Sequence, residues 1–190
     1  ESKNKWTQDR HEFYPTNDVL LPELGLNDIY NKVLDEIVRP LSIHLWKLEG
    51  KSWDAFSNEN FMAIYTTDRQ SHLSLHHDRS HLTLVIKLND EFSGGGTWFP
   101  KYQKLINPEV VGTAALHPGM VTHRHGARPI TAGKRYIIVS FIAISVGIYI
   151  AIEPVYNLSA GVVIDLTISS IFIEATTSLI LALVSLDLKV

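Results

Sequence analysis

The sequence contains no cysteine among its 190 residues. This absence excludes disulfide bridges and zinc sites built on thiolates, and it is compatible with a reducing compartment. The chain also lacks a large excess of charge of one sign, since its formal net charge is -3 and no basic face of the kind that binds nucleic acid is evident. We therefore expect small molecules or peptides as partners, and no nucleic acid.

No apolar run is long enough to cross a membrane as a helix. The C-terminal stretch, residues 144–190, is strongly apolar and β-branched, but charged residues interrupt it and no uncharged run approaches the roughly twenty residues that a spanning helix needs. We therefore expect no membrane span. The same stretch is predicted to form buried strands that belong to the domain formed by residues 1–143.

Residues 1–143 have the length of one domain with its own core. The N-terminal segment, residues 1–25, is polar, contains prolines and is predicted to be rich in loops. In residues 27–41 apolar side chains recur every three or four residues, which predicts an amphipathic helix packed on a sheet. Asn27 is predicted to cap this helix and Pro40 to mark its last turn. The predicted apolar face consists of Ile29, Val33, Leu34, Ile37, Val38 and Leu41.

From residue 61 onward, short β-branched or aromatic segments alternate with turn residues. Many short strands with few helices indicate a sandwich or barrel, so we expect a mainly β domain with a flanking helix. The SGGG stretch (93–96) is predicted to be a bend between strands, and Pro118-Gly119 the centre of a type II turn. The predicted strands are residues 61–65, 81–88, 97–99, 111–117 and 135–143.

Histidine is concentrated in one part of the sequence, because seven of the nine histidines lie between positions 72 and 125. Within SLHHDRSHL (74–82), His76 and Asp78 are two residues apart, so on a strand both point to the same face and His77 points away. An imidazole nitrogen and a carboxylate oxygen on one face can bind a metal ion. The third ligand is expected from LHPGMVTHRHGARP (116–129), where the candidates are His117, His123 and His125.

Arg135 opens an otherwise apolar strand ten residues after His125. Burying an unpaired guanidinium is costly, so this side chain must face solvent or pair with a carboxylate, such as the far end of a dicarboxylate ligand. Two histidines and one carboxylate on one face of a metal ion leave three positions open, as in non-haem Fe(II) oxygenases. The combination of His-x-Asp, a distal histidine and an arginine therefore predicts a 2-oxoglutarate-dependent dioxygenase site.

Four stretches of the sequence resemble a known family. YPTNDVLL, HHDRSHLTLVIKLN, FSGGGTWFPKY and LHPGMVTHRHGARPITAGKRYIIVSFI resemble the C-terminal catalytic domain of the procollagen-lysine 2-oxoglutarate 5-dioxygenases, the lysyl hydroxylases. The resemblance covers roughly residues 14–142 and implies a double-stranded β-helix (jelly-roll) of the Fe(II)/2-oxoglutarate dioxygenase type. Relative to the family, residues 1–143 are N-terminally truncated, and residues 144–190 do not align. The absence of cysteine, where animal members have several, is compatible with a viral homologue.

The family motif assigns the metal ligands of this sequence. His76 and Asp78 match the His-x-Asp pair, and His125 matches the distal ligand as the second histidine of THRH. His123 remains the alternative to His125. We interpret His117, which precedes Pro-Gly, as a turn residue.

The motif also assigns the binding site for 2-oxoglutarate. Arg135 matches the residue that binds the 5-carboxylate, while Tyr65 and Asn89 align with positions that line the pocket. Prolyl hydroxylases share the metal motif but anchor 2-oxoglutarate with a lysine, and Lys134 is adjacent to Arg135. Alternate residues of a strand face opposite ways, so only one of these two cations can point inward.

The resemblance implies hydroxylation of C5 of lysine in collagen-like X-Lys-Gly sequences, with 2-oxoglutarate decarboxylated to succinate. The implied cofactor is Fe(II), with dioxygen as co-substrate and ascorbate keeping the iron ferrous. The implied partners are a collagen-like peptide and a second copy of the chain in a homodimer. The expected localisation is the endoplasmic reticulum lumen for an animal protein and a host-cell compartment for a viral one.

Two alternatives to a lysyl hydroxylase remain at this point. One is a prolyl hydroxylase of the same superfamily, and the other is a non-catalytic jelly-roll module for peptide binding or dimerisation. Exposed acidic residues such as Asp90 or Glu91 are candidates for attracting a substrate ammonium. Trp98 and Phe99 are predicted to be packing residues.

Overall fold

The structure, a computed structural model, describes residues 6–11, 13–48 and 56–144, with residue 56 and residues 162–165 described as backbone only. Two antiparallel sheets form the framework of the described chain. Within the described ranges, no helix is both long and apolar enough to span a membrane.

The strands are β1 (Asn17–Leu20), β2 (Phe56–Thr66), β3 (Leu73–His76), β4 (Leu82–Lys87), β5 (Phe92–Gly94), β6 (Thr97–Phe99), β7 (Lys104–Ile106), β8 (Thr113–Pro118), β9 (His125–Ala127), β10 (Ile130–Ile144) and β11 (Val162–Asp165). The larger sheet runs in the order β1, β2, β10, β4, β8 and β11, and β5 pairs with one end of β10. The smaller sheet runs in the order β3, β9, β6 and β7. The expected mainly β jelly-roll with a flanking helix is confirmed.

The two faces of the larger sheet have different roles because side chains alternate along its central strands. Met62 on β2 and Ile138 on β10 belong to the core shared with the helical segment. Phe61 and Val139, one residue away, belong to a second cluster on the opposite face. This second face looks toward the smaller sheet, so it lines the space between the sheets.

The helical segment is longer than the sequence predicts. It comprises α1 (Asn27–Val33), a π-helical turn (Leu34–Val38) and α2 (Arg39–Trp46). Pro40 was predicted to lie in the last turn, but it lies in the first turn of α2. A proline lacks the amide proton that an uninterrupted α-helix would use, and the π-helical turn directly before α2 accommodates that loss.

The N-terminus and the buried face of this segment also differ in detail from the prediction. Leu26, not Asn27, is the N-cap residue, and its side chain makes no capping hydrogen bond. Val33, Leu34 and Val38 are buried as predicted, whereas Ile29, Ile37 and Leu41 are only partly buried. Tyr30, which the periodicity did not select, is fully buried. The hydroxyl of Tyr30 places a hydrogen-bonding group in the apolar core between the helical segment and the sheet.

We expect Tyr30→Phe to lower the free energy of unfolding by about 1–3 kcal/mol. The Tyr30 hydroxyl lies 2.7 Å from the Ser140 hydroxyl on β10, and both groups are buried. Removing the phenol oxygen leaves the serine without this partner in an apolar environment. Denaturant unfolding measures the change, and Tyr14→Phe, at a side chain that is 40% exposed, is the matched control with little effect. An equal effect of both substitutions would contradict the prediction.

The glycine-rich bend is present where it was predicted, but the predicted type II turn is not. Gly94 ends β5, and Gly95 and Gly96 connect it to β6; the three φ values are +78°, +76° and +90°. Pro118 belongs to β8, and Gly119 is not among the glycines with positive φ, so the predicted type II turn is wrong. Gly119 is needed for a different reason, because a Cβ there would overlap Ser80.

The C-terminal stretch contributes one described strand, β11, which pairs antiparallel with β8 in the larger sheet. Residues 145–161 and 166–190 lie outside the described part of the chain. The division of the chain at residue 143 therefore stays a prediction, as does the rest of the predicted strand structure in this stretch.

Candidate metal and 2-oxoglutarate site

Three potential metal ligands converge between the two sheets. His76 is the last residue of β3, His125 is the first residue of β9, and the two residues are direct partners across this strand pair. Asp78 lies just beyond β3, where its backbone N–H donates to the carbonyl of Gly119 at 2.8 Å. The predicted pair is therefore brought together by the turn after β3, and not by two positions within one strand.

The ligand atoms of this triad lie within 4.8 Å of one another. Nε2 of His76 is 3.2 Å from Oδ1 of Asp78, and Nε2 of His125 is 3.5 Å from Oδ2. The Asp78 and His125 side chains are 2% and 7% exposed, and His76 is 11% exposed. The site is thus almost closed to solvent, which strengthens its electrostatic interactions.

The backbone fixes how the two imidazole rings face the carboxylate. Nδ1 of His76 lies 2.8 Å from the carbonyl of Ser74, and Nδ1 of His125 lies 2.9 Å from the carbonyl of His123. A carbonyl only accepts hydrogen bonds, so each ring carries a proton on Nδ1 and points Nε2 toward Asp78. In the neutral form of each ring, Nε2 has a lone pair that can bind a metal ion together with the carboxylate. The donor set therefore fits a divalent metal of the Fe(II) type.

Charge and burial favour the metal-binding forms of Asp78 and His125, but not that of His76. Burial raises the pKa of Asp78, but the hydrogen bond from His76 and the charges of His125 and His117 outweigh it, so the pKa falls to about 2. Burial is the main cause that lowers the pKa of His125. Burial acts to lower the pKa of His76 as well, but the hydrogen bond and charge of Asp78 overcome it and raise the pKa. At neutral pH we therefore expect Asp78 ionised and His125 neutral.

Thr83 on β4 holds the carboxylate of Asp78 in place. Its hydroxyl donates to Oδ2 of Asp78 at 2.6 Å, and the hydroxyl of Ser80 lies 2.8 Å from that of Thr83. The sequence analysis missed this residue. The available signal was the alternation along β4, where Thr83 and Val85 line the cavity and Leu84 and Ile86 belong to the helix-facing core.

We expect Thr83→Val to lower the affinity for Fe(II) by roughly 10- to 100-fold, as is typical for residues that orient a metal ligand. Valine keeps the shape of the side chain but removes the donor, so the carboxylate of Asp78 is free to rotate. Titration with Fe(II) under nitrogen measures the affinity. Thr131→Val, an exposed threonine on β10, is the matched control, and a similar loss in both variants would refute the role of Thr83.

Arg135 lies on β10 directly opposite Tyr65 on β2. Its side chain is buried, with the guanidinium carbon 5.4 Å from the centre of the Tyr65 ring. Among the described residues no carboxylate forms an ion pair with this guanidinium, and burial lowers its pKa. A buried cation without an anionic partner in the protein is a site for an anionic ligand. Gly95 makes room for it, since a Cβ there would lie 3.2 Å from Cδ of Arg135.

One cavity of about 800 Å³ connects the triad with Arg135 and Tyr65, all of which line it. Asn89 lies elsewhere. Its side-chain amide donates to the carbonyl of Lys134 at 2.8 Å, and its oxygen accepts from the N–H of Tyr136 at 2.9 Å. Asn89 thus fastens the end of β4 to β10, and it is not among the residues that line the cavity.

The other histidines near the site are packing residues in the described structure. His117 is fully buried on β8, with its ring centre 4.7 Å from that of His125 and 5.0 Å from that of Phe99. It is therefore part of the wall behind His125, and its interpretation as a turn residue is wrong. His123 is also buried and lies 3.1 Å from the hydroxyl of Tyr102. The backbone carbonyl of His123, and not its ring, contacts the triad, because it accepts the hydrogen bond from Nδ1 of His125.

Two residues at the rim complete the surroundings. His77 is exposed, as expected for the spacer of the His-x-Asp pair. Tyr14, which the sequence analysis did not select, covers the ring of His76 at a centroid distance of 5.1 Å. No sequence signal marked Tyr14, because it is brought to the site by the path of the N-terminal segment.

Comparison with known proteins shows similarity to procollagen-lysine dioxygenases, although no protein-family model matches the chain. The chain is 33% identical over 154 residues to procollagen-lysine,2-oxoglutarate 5-dioxygenase 2 of Mus musculus, a match that covers 75% of this chain and 21% of that protein. It is 40% identical over 134 residues to the procollagen lysyl hydroxylase and glycosyltransferase of Acanthamoeba polyphaga mimivirus, covering 69% and 15%.

A third relative, the procollagen-lysine,2-oxoglutarate 5-dioxygenase of Drosophila melanogaster, is 36% identical over 140 residues, covering 70% of this chain and 19% of that protein. The chain thus spans about one fifth of the length of these relatives or less. The resemblance inferred from the motifs is confirmed. Over the part of its length that aligns, the chain belongs to the procollagen-lysine 2-oxoglutarate 5-dioxygenase family, the lysyl hydroxylases.

Proposed function

We propose that this chain is a Fe(II)- and 2-oxoglutarate-dependent hydroxylase that acts on C5 of peptidyl lysine in collagen-like X-Lys-Gly sequences. The observation that carries the proposal is a single cavity lined by a His, Asp, His triad and by a buried arginine. Similarity to lysyl hydroxylases supports lysine as the substrate residue.

Each part of the cavity has a proposed task. His76, Asp78 and His125 would hold Fe(II), and Arg135 would bind the 5-carboxylate of 2-oxoglutarate through a charge-assisted hydrogen bond pair. Bound ferrous iron would supply the activation of dioxygen that is coupled to decarboxylation of 2-oxoglutarate to succinate. The apolar side chain of Val139 lines the cavity and limits access of water.

The family resemblance supports further proposals about the working protein. Ascorbate would keep the iron ferrous between turnovers, and a homodimer would be the functional form. Localisation in the endoplasmic reticulum lumen, for an animal protein, or in a host-cell compartment, for a viral one, stays a proposal on the same basis.

The position of the two neighbouring cations favours a lysyl over a prolyl hydroxylase. Arg135 is buried and lines the cavity, whereas Lys134 is exposed and is not among the lining residues. A lysine anchor, which is typical of prolyl hydroxylases, would require Lys134 to point inward.

The function is tested by incubating the protein with Fe(II), 2-oxoglutarate, ascorbate and collagen-like peptides that contain either lysine or proline. We expect succinate release together with a mass increase of one oxygen in the lysine peptide. Oxygen incorporation in the proline peptide alone would indicate a prolyl hydroxylase. Absence of succinate with every peptide would indicate the non-catalytic module.

A further inference from the structure

The cavity has a second charged end that the proposed binding of iron and 2-oxoglutarate does not use. Glu59 on β2 and Arg10 in the N-terminal segment line the same cavity as the triad and Arg135. Apart from Asp78, Glu59 is the only acidic residue among the described residues that line it. The candidates Asp90 and Glu91 are exposed residues that do not line the cavity.

Strand register places Glu59 level with the metal site. Glu59 pairs with Phe141 on β10, and Phe141 pairs with Thr83 on β4, so the three residues form one row across the sheet. Thr83 donates to Asp78. Two strand spacings separate Glu59 from Thr83, which is about 10 Å. Arg135 lies six residues before Phe141 on the same strand. Arg135 is therefore displaced from the triad along β10, whereas Glu59 lies beside the triad in the same row of the sheet.

The cation beside Glu59 is shared with a second carboxylate. Arg10 forms ion pairs with Glu59 and with the buried Asp18, the latter at 2.6 Å. Arg10 contacts Oε1 of Glu59, and no described residue donates a hydrogen bond to Oε2. The Glu59 side chain is 50% exposed, so Oε2 is open to a ligand.

The walls beside Glu59 suit a long cationic side chain. The rings of Phe61 and Phe141 meet edge to face at 5.2 Å, and both line the cavity. The guanidinium carbon of Arg10 already lies 4.9 Å from the centre of the Phe61 ring. Aromatic faces favour methylene groups and attract cations, so this wall can accommodate an alkyl chain that ends in an ammonium.

We propose that Glu59 determines specificity by accepting the ammonium of the substrate lysine at Oε2. This inference rests on the proposed function, because it assigns the position of the lysine side chain relative to the metal site. An ammonium bound at Glu59 directs the aliphatic carbons of the lysine along Phe141 toward the triad. A proline side chain has no cation to place there, so the carboxylate discriminates against it.

The test measures peptide binding and does not depend on turnover. A fluorescently labelled collagen-like peptide with one lysine is compared by anisotropy with the same peptide carrying norleucine, whose side chain has the same four carbons but no ammonium. We expect the protein to bind the lysine peptide roughly 10-fold or more tightly, in line with a hydrogen bond to a charged group. Glu59→Gln should reduce this preference to near unity. Glu59→Asp, which keeps the charge on a shorter side chain, should retain part of it.

The matched control is Glu91→Gln, which removes an exposed carboxylate outside the cavity and should keep the full preference. A second measurement needs no variant, because the preference of the unmodified protein should shrink as ionic strength rises. The inference is overturned if the unmodified protein binds both peptides equally, or if Glu59→Gln keeps the preference. The proposed function fails separately, through absence of succinate release or of oxygen gain in the lysine peptide.

Discussion

Replacing His76 with alanine should lower the affinity for Fe(II) by at least about 100-fold and abolish succinate release. Loss of a residue that only orients a ligand typically costs 10- to 100-fold, so loss of a ligand itself should cost more. Nε2 of His76 lies 3.2 Å from the carboxylate of Asp78, and its Nδ1 is fixed by the carbonyl of Ser74. Fe(II) titration under nitrogen and the 2-oxoglutarate assay measure the two effects.

His77→Ala is the matched control for this prediction. The two histidines are adjacent in sequence, but His77 is exposed and lies outside the triad. We expect His77→Ala to bind Fe(II) as tightly as the unmodified protein. Equal losses in the two variants, or unchanged Fe(II) affinity in His76→Ala, would exclude the triad as the metal site.

Replacing Arg135 with methionine should weaken 2-oxoglutarate binding by roughly 30-fold or more, since truncating one partner of a buried charge pair costs about 2–5 kcal/mol. The guanidinium is buried, and no described carboxylate pairs with it, so a bound dicarboxylate would gain the full interaction. Titration calorimetry with 2-oxoglutarate under anaerobic conditions measures the affinity. Thermal unfolding gives a second readout, because 2-oxoglutarate should stabilise the unmodified protein but not the variant.

The unfolding measurement also separates loss of binding from loss of fold. Methionine has a similar length and carries no charge, so the variant avoids burial of an unpaired cation and should unfold without ligand at the same or a higher temperature. Lys134→Met is the control and should leave 2-oxoglutarate affinity nearly unchanged. If Lys134→Met abolished binding and Arg135→Met did not, the assignment of Arg135 would be wrong.

The electrostatic layout of the cavity explains why these two substitutions should act on different ligands. The triad attracts a metal cation because Asp78 has a pKa of about 2 and faces two imidazole nitrogens. Arg135 attracts an anion, and Glu59 attracts a cation. These groups are held at fixed places by strands β2, β3, β9 and β10, so each ligand meets its complementary charge without rearrangement of the backbone.

Much of the site was predictable from the sequence because its chemistry depends on a few residue types in a fixed order. His76, Asp78, His125 and Arg135 were selected from their spacing, their apolar context and their resemblance to a family, and the structure gathers them around one cavity. The strand segments were also predictable, since alternation and β-branching mark a pleated surface that is partly buried.

Other features could not be predicted because they depend on which segments meet in space. Thr83 carries no signal as a ligand-orienting residue until β4 is placed beside the turn that holds Asp78. Asn89 aligned with the pocket, but its amide bonds to the backbone of β10 instead. Pro40 indicated a helix end, yet the preceding π-helical turn lets the helix continue to Trp46.

The sequence by itself indicated the class of fold, the residues of the proposed triad and an arginine suited to a dicarboxylate, because local periodicity, residue chemistry and the family resemblance together carry that information. Only the tertiary structure decided that His76 and His125 are cross-strand partners, that Arg135 and not Lys134 faces the cavity, and that Glu59 shares a row with Thr83. Those facts depend on strand register, and register is set by long-range pairing that no short segment encodes.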